Sequence, residues 1–227
     1  MLPMPAACWL CQMPLKLAHH GVCSLCLRQL LQQSPVCPRC GLPSGSTHRI
    51  CGRCLLRPPT WQRLLAITPW RPPLKILVNR LKFYRATALA VMFARLILLR
   101  WLTAHRCHQL ERPDLLLSVP LHHHRAWQRG YNQLEDIAQK LAHWTGCCYE
   151  RRGLIRIRKG RIQHRLSAQA RRRNLRGAFR VKTDVRGQHI ALLDDVVTTG
   201  STVAEISRIL LAAGAASVQI WCLCRTL

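Results

Sequence analysis

The stretch from residue 190 to residue 206 constrains the fold more than any other part of the chain. It reads Ile-Ala-Leu-Leu-Asp-Asp-Val-Val-Thr-Thr-Gly-Ser-Thr-Val-Ala-Glu-Ile. The apolar run that leads into Asp194 and Asp195 predicts a buried strand, and the apolar spacing that continues through Leu211 predicts a helix. The segment between them would form a loop at the carboxyl end of the strand, where open α/β sheets bind ligands.

This loop has the composition of a phosphate-binding turn. Gly200 lets the backbone approach a ligand closely, and its neighbours supply hydroxyl groups beside free N–H groups at a helix N-terminus. Those neighbours are Thr198, Thr199, Ser201 and Thr202. No Gly-Lys-Ser/Thr follows the turn, which excludes a Walker P-loop. A capped helix after a buried strand, with an exposed acidic pair, is the purely structural alternative.

Residues 192–202 resemble the phosphoribosyl pyrophosphate (PRPP) motif of type I phosphoribosyltransferases. The resemblance implies that Asp194 and Asp195 are catalytic carboxylates that face the ribose hydroxyls. It also implies that residues 198–202 hold the 5′-phosphate and that Mg²⁺ accompanies PRPP.

Eight of the thirteen cysteines form four Cys-x-x-Cys pairs near the N-terminus. They are Cys8, Cys11, Cys23, Cys26, Cys37, Cys40, Cys51 and Cys54. Two such pairs complete a tetrahedral structural site, so we predict a double zinc ribbon that holds two Zn²⁺ ions. Redox chemistry is a weaker alternative, because the expected βαβ context is absent from this segment.

The spacing leaves two ways to pair the cysteines. Sequential pairing, with residues 8, 11, 23 and 26 on one zinc and 37, 40, 51 and 54 on the other, is favoured because each repeat then closes its own site. Interleaved pairing, 8/11/37/40 with 23/26/51/54, stays an alternative because the gaps are nearly equal.

Prolines separate the cysteine-rich segment from the rest of the chain. Pro58 and Pro59 disfavour continuation of either neighbouring element, so we predict a double zinc ribbon over residues 1–57 and a phosphoribosyltransferase-like domain over residues 58–227. In the second domain, apolar segments alternate with helical patterns, including one from about residue 86 to residue 104. This order predicts an α/β fold with a mostly parallel sheet flanked by helices.

The chain shows no targeting or membrane signal. The N-terminus has no basic stretch of the signal-peptide kind, and the most apolar segment is interrupted by Arg95 and Arg100. We therefore expect no membrane span and a cytoplasmic location, where a reducing environment favours zinc thiolates over disulfides.

A second strand and loop would complete the ligand site. Residues 115–119 form a compact apolar strand, and the loop that follows contains Arg125, Arg129 and Gly130. We expect the two arginines to face the pyrophosphate of PRPP, because guanidinium groups bind phosphate in a bidentate manner. The three histidines at 122–124 lack a good metal spacing and fit an exposed loop.

Several segments make the resemblance narrower. Arg125-x-x-x-Arg129-Gly-Tyr-Asn-Gln resembles the ComF/GntX pattern, with Tyr131 where the family has Phe. A second similar segment runs from residue 158 to residue 179, with Gly160 where the family commonly has Thr. Together with the zinc ribbons, the Leu-Lys-Phe segment at 81–83 and the PRPP motif, the resemblance covers nearly the whole chain.

The charge distribution indicates a polyanionic partner. The formal net charge is +26, and residues 1–110 contain fifteen Lys and Arg but no Asp or Glu. Residues 151–180 contain twelve basic residues and no acid. We expect this second segment to contact nucleic-acid phosphates or to cover pyrophosphate, although a solvated basic surface is the structural alternative. The candidate contacts are Arg158, Lys159, Arg161, Arg165, Arg171, Arg172 and Arg173.

The family resemblance implies a cytoplasmic protein that handles incoming single-stranded DNA, for DNA uptake or for use of DNA as a nutrient. PRPP or a related phosphorylated sugar would be its small ligand. The alternative is an active phosphoribosyltransferase that transfers phosphoribose to a base or another acceptor, and the sequence leaves that activity open. Association with the DNA-import machinery at the inner membrane is a third hypothesis. Trp61, Trp70 and Trp101 are assigned to packing rather than to base stacking.

Overall fold

The computed structural model describes residues 6–32, 35–84, 86, 88–120, 132–157 and 175–226. The helices are α1 (Ser24–Leu31), α2 (Gly52–Leu56), α3 (Leu74–Phe83), α4 (Leu89–His108), α5 (Leu134–Thr145) and α6 (Ser201–Ala212). The strands are β1 (Arg63–Pro69), β2 (Leu115–Ser118), β3 (Cys148–Tyr149), β4 (Leu154–Arg156), β5 (Phe179–Val181), β6 (His189–Val197) and β7 (Ser217–Arg225).

The described residues form a five-stranded sheet in the order β1-β7-β6-β2-β3, and every neighbouring pair is parallel. Strands β4 and β5 form a separate antiparallel pair. The central strands β6 and β7 are buried along most of their length, which explains their nearly continuous apolar sequence. This arrangement confirms the predicted α/β fold with a mostly parallel sheet.

The two faces of the sheet pack against different layers. Ala191 and Leu193 face a large apolar cluster that contains residues of α3, α4 and α5. Ile190 and Leu192 face a second cluster with α6, β4 and β5. The alternation follows from the two-residue period of a strand, and it sends Asp194 and Asp195 to opposite faces.

Helix α4 is the longest helix among the described residues, and its Arg100 holds neighbouring elements together. It begins three residues later than predicted and extends to residue 108. The Arg100 guanidinium donates from Nη2 to the carbonyl oxygens of Leu30 and Ile67, each at 3.1 Å, so it connects α1, β1 and α4. Burial lowers the pKa of Arg100 to about 10. Within the described residues, no helix has the combined length and apolar character that crossing a bilayer requires.

The cysteine repeats recur in structure as well as in sequence. An isolated antiparallel bridge joins Ala7 to Pro14 in the first repeat, and the equivalent bridge joins Val36 to Pro43 in the second. The first repeat packs on α4, where a Cβ added to Gly21 would lie only 2.8 Å from the Cβ of Met92.

The second repeat packs on the edge of the sheet. There the Leu64 N–H donates to the carbonyl oxygen of Pro38 at 3.1 Å. The two repeats therefore contact different parts of the second domain.

Candidate functional site

The eight paired cysteines form two clusters, and each cluster comes from one repeat. Cys8, Cys11, Cys23 and Cys26 place their sulfur atoms within 4.8 Å of one another, as do Cys37, Cys40, Cys51 and Cys54. The structure thus brings the cysteines together in the sequential order and not in the interleaved order.

The sulfur geometry fits structural zinc. The Sγ atoms of Cys11 and Cys23 are 3.7 Å apart, and those of Cys40 and Cys51 are 3.8 Å apart. Four sulfurs at the usual zinc–sulfur distance in a tetrahedron lie about 3.8 Å from each other. Both clusters therefore have the donors and the spacing of a four-thiolate zinc site.

In each cluster, hydrogen bonds from the backbone lower the pKa of one cysteine and so favour its thiolate form. Burial raises the pKa of the Cys8 thiol, but hydrogen bonds from backbone N–H groups outweigh burial and lower it to about 6. The same balance lowers the pKa of Cys37 to about 7. The donors include the N–H of Cys23, 3.4 Å from Cys8 Sγ, and the N–H of Cys51, 3.3 Å from Cys37 Sγ.

The acidic pair lies within β6, not after it. The sequence predicted that the strand ends at residue 193, whereas β6 continues to Val197 and pairs Asp194 with Cys222 of β7. The β-branched Val196 and Val197 favour this extension. The pair is still in the carboxyl-terminal part of a central strand, where the sequence places a ligand site.

Asp195 has two side-chain partners from the α3–α5 layer. Its Oδ2 accepts a hydrogen bond from Gln133 Nε2 at 3.0 Å and lies 2.8 Å from the Lys82 ammonium nitrogen. Gln133 is almost fully buried, and its Oε1 has no hydrogen-bond partner among the residues that the structure describes, which leaves an acceptor beside the carboxylate. Lys82 and Gln133 thus fix the orientation of Asp195.

Asp194 is in a different electrostatic environment. Burial and the neighbouring charge of Asp195 raise the pKa of Asp194 to about 7. The N–H of Asp195, which donates to Asp194 Oδ1 at 2.8 Å, and the Lys82 charge act in the opposite direction. One carboxylate is therefore paired with a cation, while the other holds a proton more readily.

The hydroxyl-rich loop forms the N-terminus of α6. Gly200 caps the helix with a φ of +78°, a conformation that L side chains rarely adopt. The hydroxyl oxygens of Thr199 and Ser201 are 2.8 Å apart, so both hydroxyls lie at the start of the helix. Free N–H groups at a helix start attract anions, which is the geometry that the composition predicted.

Arg225, at the end of β7, and Trp61, just before β1, hold the loop against the second zinc cluster. Arg225 is 5% exposed, and its guanidinium donates to the carbonyl oxygens of Cys40, Val197, Thr198 and Thr226. The Trp61 indole packs over Gly200, where an added Cβ would lie 3.2 Å from the ring. Trp61 also donates from Nε1 to the carbonyl oxygen of Arg39 at 2.6 Å.

A cavity of about 340 Å³ opens between α2, the second zinc cluster and the start of α6. Its lining includes Arg53, Arg57 and Arg225, and none of its described lining residues is acidic. Thr199 and Ser201 of the hydroxyl-rich loop also line it. The cavity thus brings three arginines to the zinc-ribbon side of the loop.

Some predicted site residues are outside the described residues. These residues are Arg125, Arg129, Arg158, Lys159, Arg161, Arg165, Arg171, Arg172 and Arg173. The structure adds Lys82, Gln133, Trp61 and Arg225, to which the sequence analysis gave no site role. Local sequence patterns give little indication of these roles, because each of the four residues contacts a residue that is far away in the chain.

Two family models agree with this architecture. Residues 2–55 match the family described as "Double zinc ribbon domain", and residues 128–227 match "Phosphoribosyl transferase domain". A Salmonella typhi protein named DNA utilization protein YhgH is 52% identical over 227 residues, which is 100% of both chains. Competence protein F of Haemophilus influenzae is 37% identical over 221 residues, which is 96% of both chains. A solved hypoxanthine-guanine phosphoribosyl transferase of L. donovani is 19% identical, with a TM-score of 0.36, and covers 60% of this chain and 70% of that chain.

The chain is thus a phosphoribosyltransferase-type α/β protein with an N-terminal double zinc ribbon. Full-length identity with the DNA utilization and competence proteins places it in a narrower group. It belongs to the ComF/GntX family.

Proposed function

We propose that this protein binds PRPP, or a related phosphorylated sugar, and handles single-stranded DNA in DNA uptake or in the use of DNA as a nutrient. The observation that supports it most directly is the clamped loop at residues 198–202, next to two carboxylates in different electrostatic environments. The loop N–H groups and hydroxyls suit the 5′-phosphate, while Asp194 and Asp195 suit the ribose hydroxyls. Mg²⁺ would accompany the pyrophosphate, whose charge Arg125 and Arg129 would share.

The DNA part of the proposal rests on charge and on the relatives. A net charge of +26 favours polyanions, and the basic residues are concentrated in segments without acids. Relatives that match the full length are named for DNA utilization and competence. The basic segment from Arg158 to Arg173 would supply phosphate contacts, and the protein would act in the cytoplasm, near the import machinery of the inner membrane.

An active phosphoribosyltransferase is the second candidate. The acidic pair and the phosphate loop are both present, and a carboxyl group whose pKa is raised to about 7 can exchange a proton near neutral pH. The distinguishing measurement is pyrophosphate release from PRPP in a screen of bases and other acceptors. Release that depends on one acceptor would favour the transferase.

The decisive experiment is the anisotropy of labelled single-stranded DNA titrated with zinc-loaded protein at several salt concentrations. It is run with and without PRPP and Mg²⁺. We expect binding that weakens steeply with salt and that PRPP alters, since phosphate contacts release counterions. Absence of binding at low salt would contradict the DNA-handling function and favour the transferase.

A further inference from the structure

Helix α3 has an exposed aromatic and basic face, of which the site described above uses only Lys82. Its buried side consists of Leu74, Leu77, Val78 and Leu81, which pack in the core. On the opposite side, Ile76 is 51% exposed and Phe83 is 66% exposed. These two residues are seven positions apart and therefore lie along one stripe of the helix.

Tyr84 continues this stripe past the end of the helix, where its side chain is 78% exposed. Two large aromatic side chains are thus adjacent at the surface. Rings of this size are usually buried, and a solvent-exposed pair of them is a common sign of a binding surface.

Cations flank the stripe on both sides. Lys75 and Lys82, also seven residues apart, lie along one side, and the exposed Arg80 lies along the other. The ammonium nitrogens of Lys75 and Lys82 are 5.9 and 5.6 Å from the centre of the Trp70 ring. Trp70 therefore keeps both lysine side chains on the same side of the stripe. We define the α3 track as Lys75, Ile76, Arg80, Lys82, Phe83 and Tyr84.

The track is continuous with the acidic pair. Lys82 is 2.8 Å from Asp195 Oδ2, so this end of α3 is one side chain away from the proposed ribose site. No acidic residue occurs in the first 110 residues of the sequence, and therefore none interrupts the track along the chain. The combination of exposed rings and flanking cations is the one that single-strand binding grooves use, with bases on the rings and phosphates on the cations.

We propose that the α3 track binds single-stranded DNA, with bases stacked on Phe83 and Tyr84 and backbone phosphates against Lys75 and Arg80. This inference rests on the DNA-handling function proposed above and locates one contact surface for it. A strand on the track leads to the PRPP site, because Lys82 belongs to the track and contacts Asp195. An anionic lipid surface is the less favoured partner, since Arg80 and the flanking lysines leave only a narrow apolar stripe.

The test is a double variant, Phe83→Ala with Tyr84→Ala, in the full-length zinc-loaded protein. Binding is measured by anisotropy with an oligo-thymidine of about 16 nucleotides and with an abasic strand of the same length. The double variant should bind the oligo-thymidine at least about tenfold more weakly than the wild type, because the loss of a single stacking contact typically weakens binding by about that factor. It should bind the abasic strand as the wild type does, since that strand has no bases to stack.

The matched control is Leu55→Ala with Leu56→Ala on α2. These leucines are 66% and 86% exposed and lie between Arg53 and Arg57, so they match the track in exposure and flanking charge but have no rings. This variant should retain wild-type affinity for both strands. A third variant, Lys75→Ala with Arg80→Ala, should reduce the slope of log affinity against log salt concentration by about 1.4, which is about 0.7 for each lost phosphate contact with a single strand. Circular dichroism checks that every variant is folded.

The outcomes separate the track from the general function. If the wild type binds DNA and the ring variant binds both strands with unchanged affinity, the track is overturned and the DNA-handling function stands. If the wild type binds no DNA, both proposals fall. If the ring variant loses only binding to vesicles of phosphatidylglycerol, while its DNA binding is intact, the surface belongs to lipid and the proposal is overturned.

Discussion

The side chain of Arg225 donates a hydrogen bond of 2.9 Å from Nε to the carbonyl oxygen of Cys40, a residue of the second zinc cluster. Its Nη1 donates to the carbonyl oxygen of Val197 at 3.0 Å and also to that of Thr198, where the hydroxyl-rich loop begins. One buried guanidinium therefore connects a metal site to the loop. The first zinc cluster has a different neighbour, because its repeat packs on α4.

This difference predicts unequal effects of losing each zinc ion. Cys26 and Cys54 are equivalent buried cysteines of the two repeats. We expect Cys54→Ser to weaken PRPP binding by about tenfold, a typical coupling between sites, because the loop loses its fixed support. Cys26→Ser should release one zinc ion as well and leave PRPP affinity within about twofold of the wild type.

Calorimetric titration with PRPP and Mg²⁺ measures the affinity in both variants. Hydrogen exchange provides a second readout that does not depend on the ligand. Exchange should rise around residues 197–200 in Cys54→Ser and around Met92 in Cys26→Ser. Equal loss of PRPP affinity in the two variants would contradict a specific link through Arg225.

The contact between Lys82 and Asp195 should stabilise the fold. Both side chains are largely buried, with 13% and 18% exposure, and the two charged atoms are 2.8 Å apart. Lys82→Met leaves the carboxylate without its cation, and we expect a loss of about 2 to 3 kcal/mol of unfolding free energy. The combined variant Lys82→Met with Asp195→Asn should recover a large part of that loss.

Urea denaturation of the two single variants and the double variant gives the coupling energy of the pair. The control is Arg151→Met, which removes the partner of Glu135 at the same distance of 2.8 Å. Since Arg151 is 65% exposed, its loss should cost less than about 1 kcal/mol. A loss of similar size at both sites would show that burial does not control the value of the Lys82 contact.

Asp194 should make the fold less stable as the pH rises toward neutrality. Burial raises the pKa of Asp194 from 3.8 to about 7, so the folded state keeps a proton that the unfolded chain releases in this range. Because the folded state then binds more protons, stability falls as the pH rises from about 4 to about 7. Asp194→Asn removes this loss of stability and should be more stable than the wild type at pH 8, by up to about 4 kcal/mol.

Thermal unfolding between pH 5 and pH 8 tests this sign. Asp184→Asn is the control, because Asp184 is exposed and Arg186 lowers its pKa. This variant should still lose stability as the pH rises, as the wild type does. Asp194→Asn should also bind PRPP more weakly, which would mark a site where function opposes stability. A wild type and an Asp194→Asn variant with parallel pH profiles would contradict the raised pKa.

The sequence predicted the parts of the fold that local patterns determine. The four Cys-x-x-Cys pairs gave the double zinc ribbon, and the strand, loop and helix near residue 200 gave the parallel α/β sheet. Helix α3 was not predicted, although Leu74, Leu77, Val78 and Leu81 have helical spacing and the prolines at 72 and 73 stand at its start, where a helix tolerates proline.

The contacts around the candidate site could not be predicted in the same way. Arg225 and Cys40 are 185 positions apart in the chain, and Lys82 and Asp195 are far apart as well. Local sequence patterns do not indicate which distant residues come into contact, because the order of the strands in the sheet determines those contacts.

Trp61 and Trp101, which are 7% and 4% exposed, are buried as the sequence indicated.

Gly200 should be irreplaceable for both steric and backbone reasons. Its φ is +78°, and a Cβ at this position would lie 3.2 Å from the Trp61 ring, a tight contact with a ring that is itself 7% exposed. Gly200→Ala should therefore lower the unfolding free energy by about 1 to 2 kcal/mol from the backbone alone. It should also weaken PRPP binding, because the ring or the loop has to shift.

Gly187 offers the matched control, since its φ is +67° and nothing lies within 4 Å of an added Cβ. Gly187→Ala should show the backbone cost in urea denaturation and leave PRPP affinity unchanged. The difference between the two variants then measures the effect of the Trp61 contact on the loop. Equal PRPP affinities in both variants would mean that the ring yields to a Cβ without moving the loop.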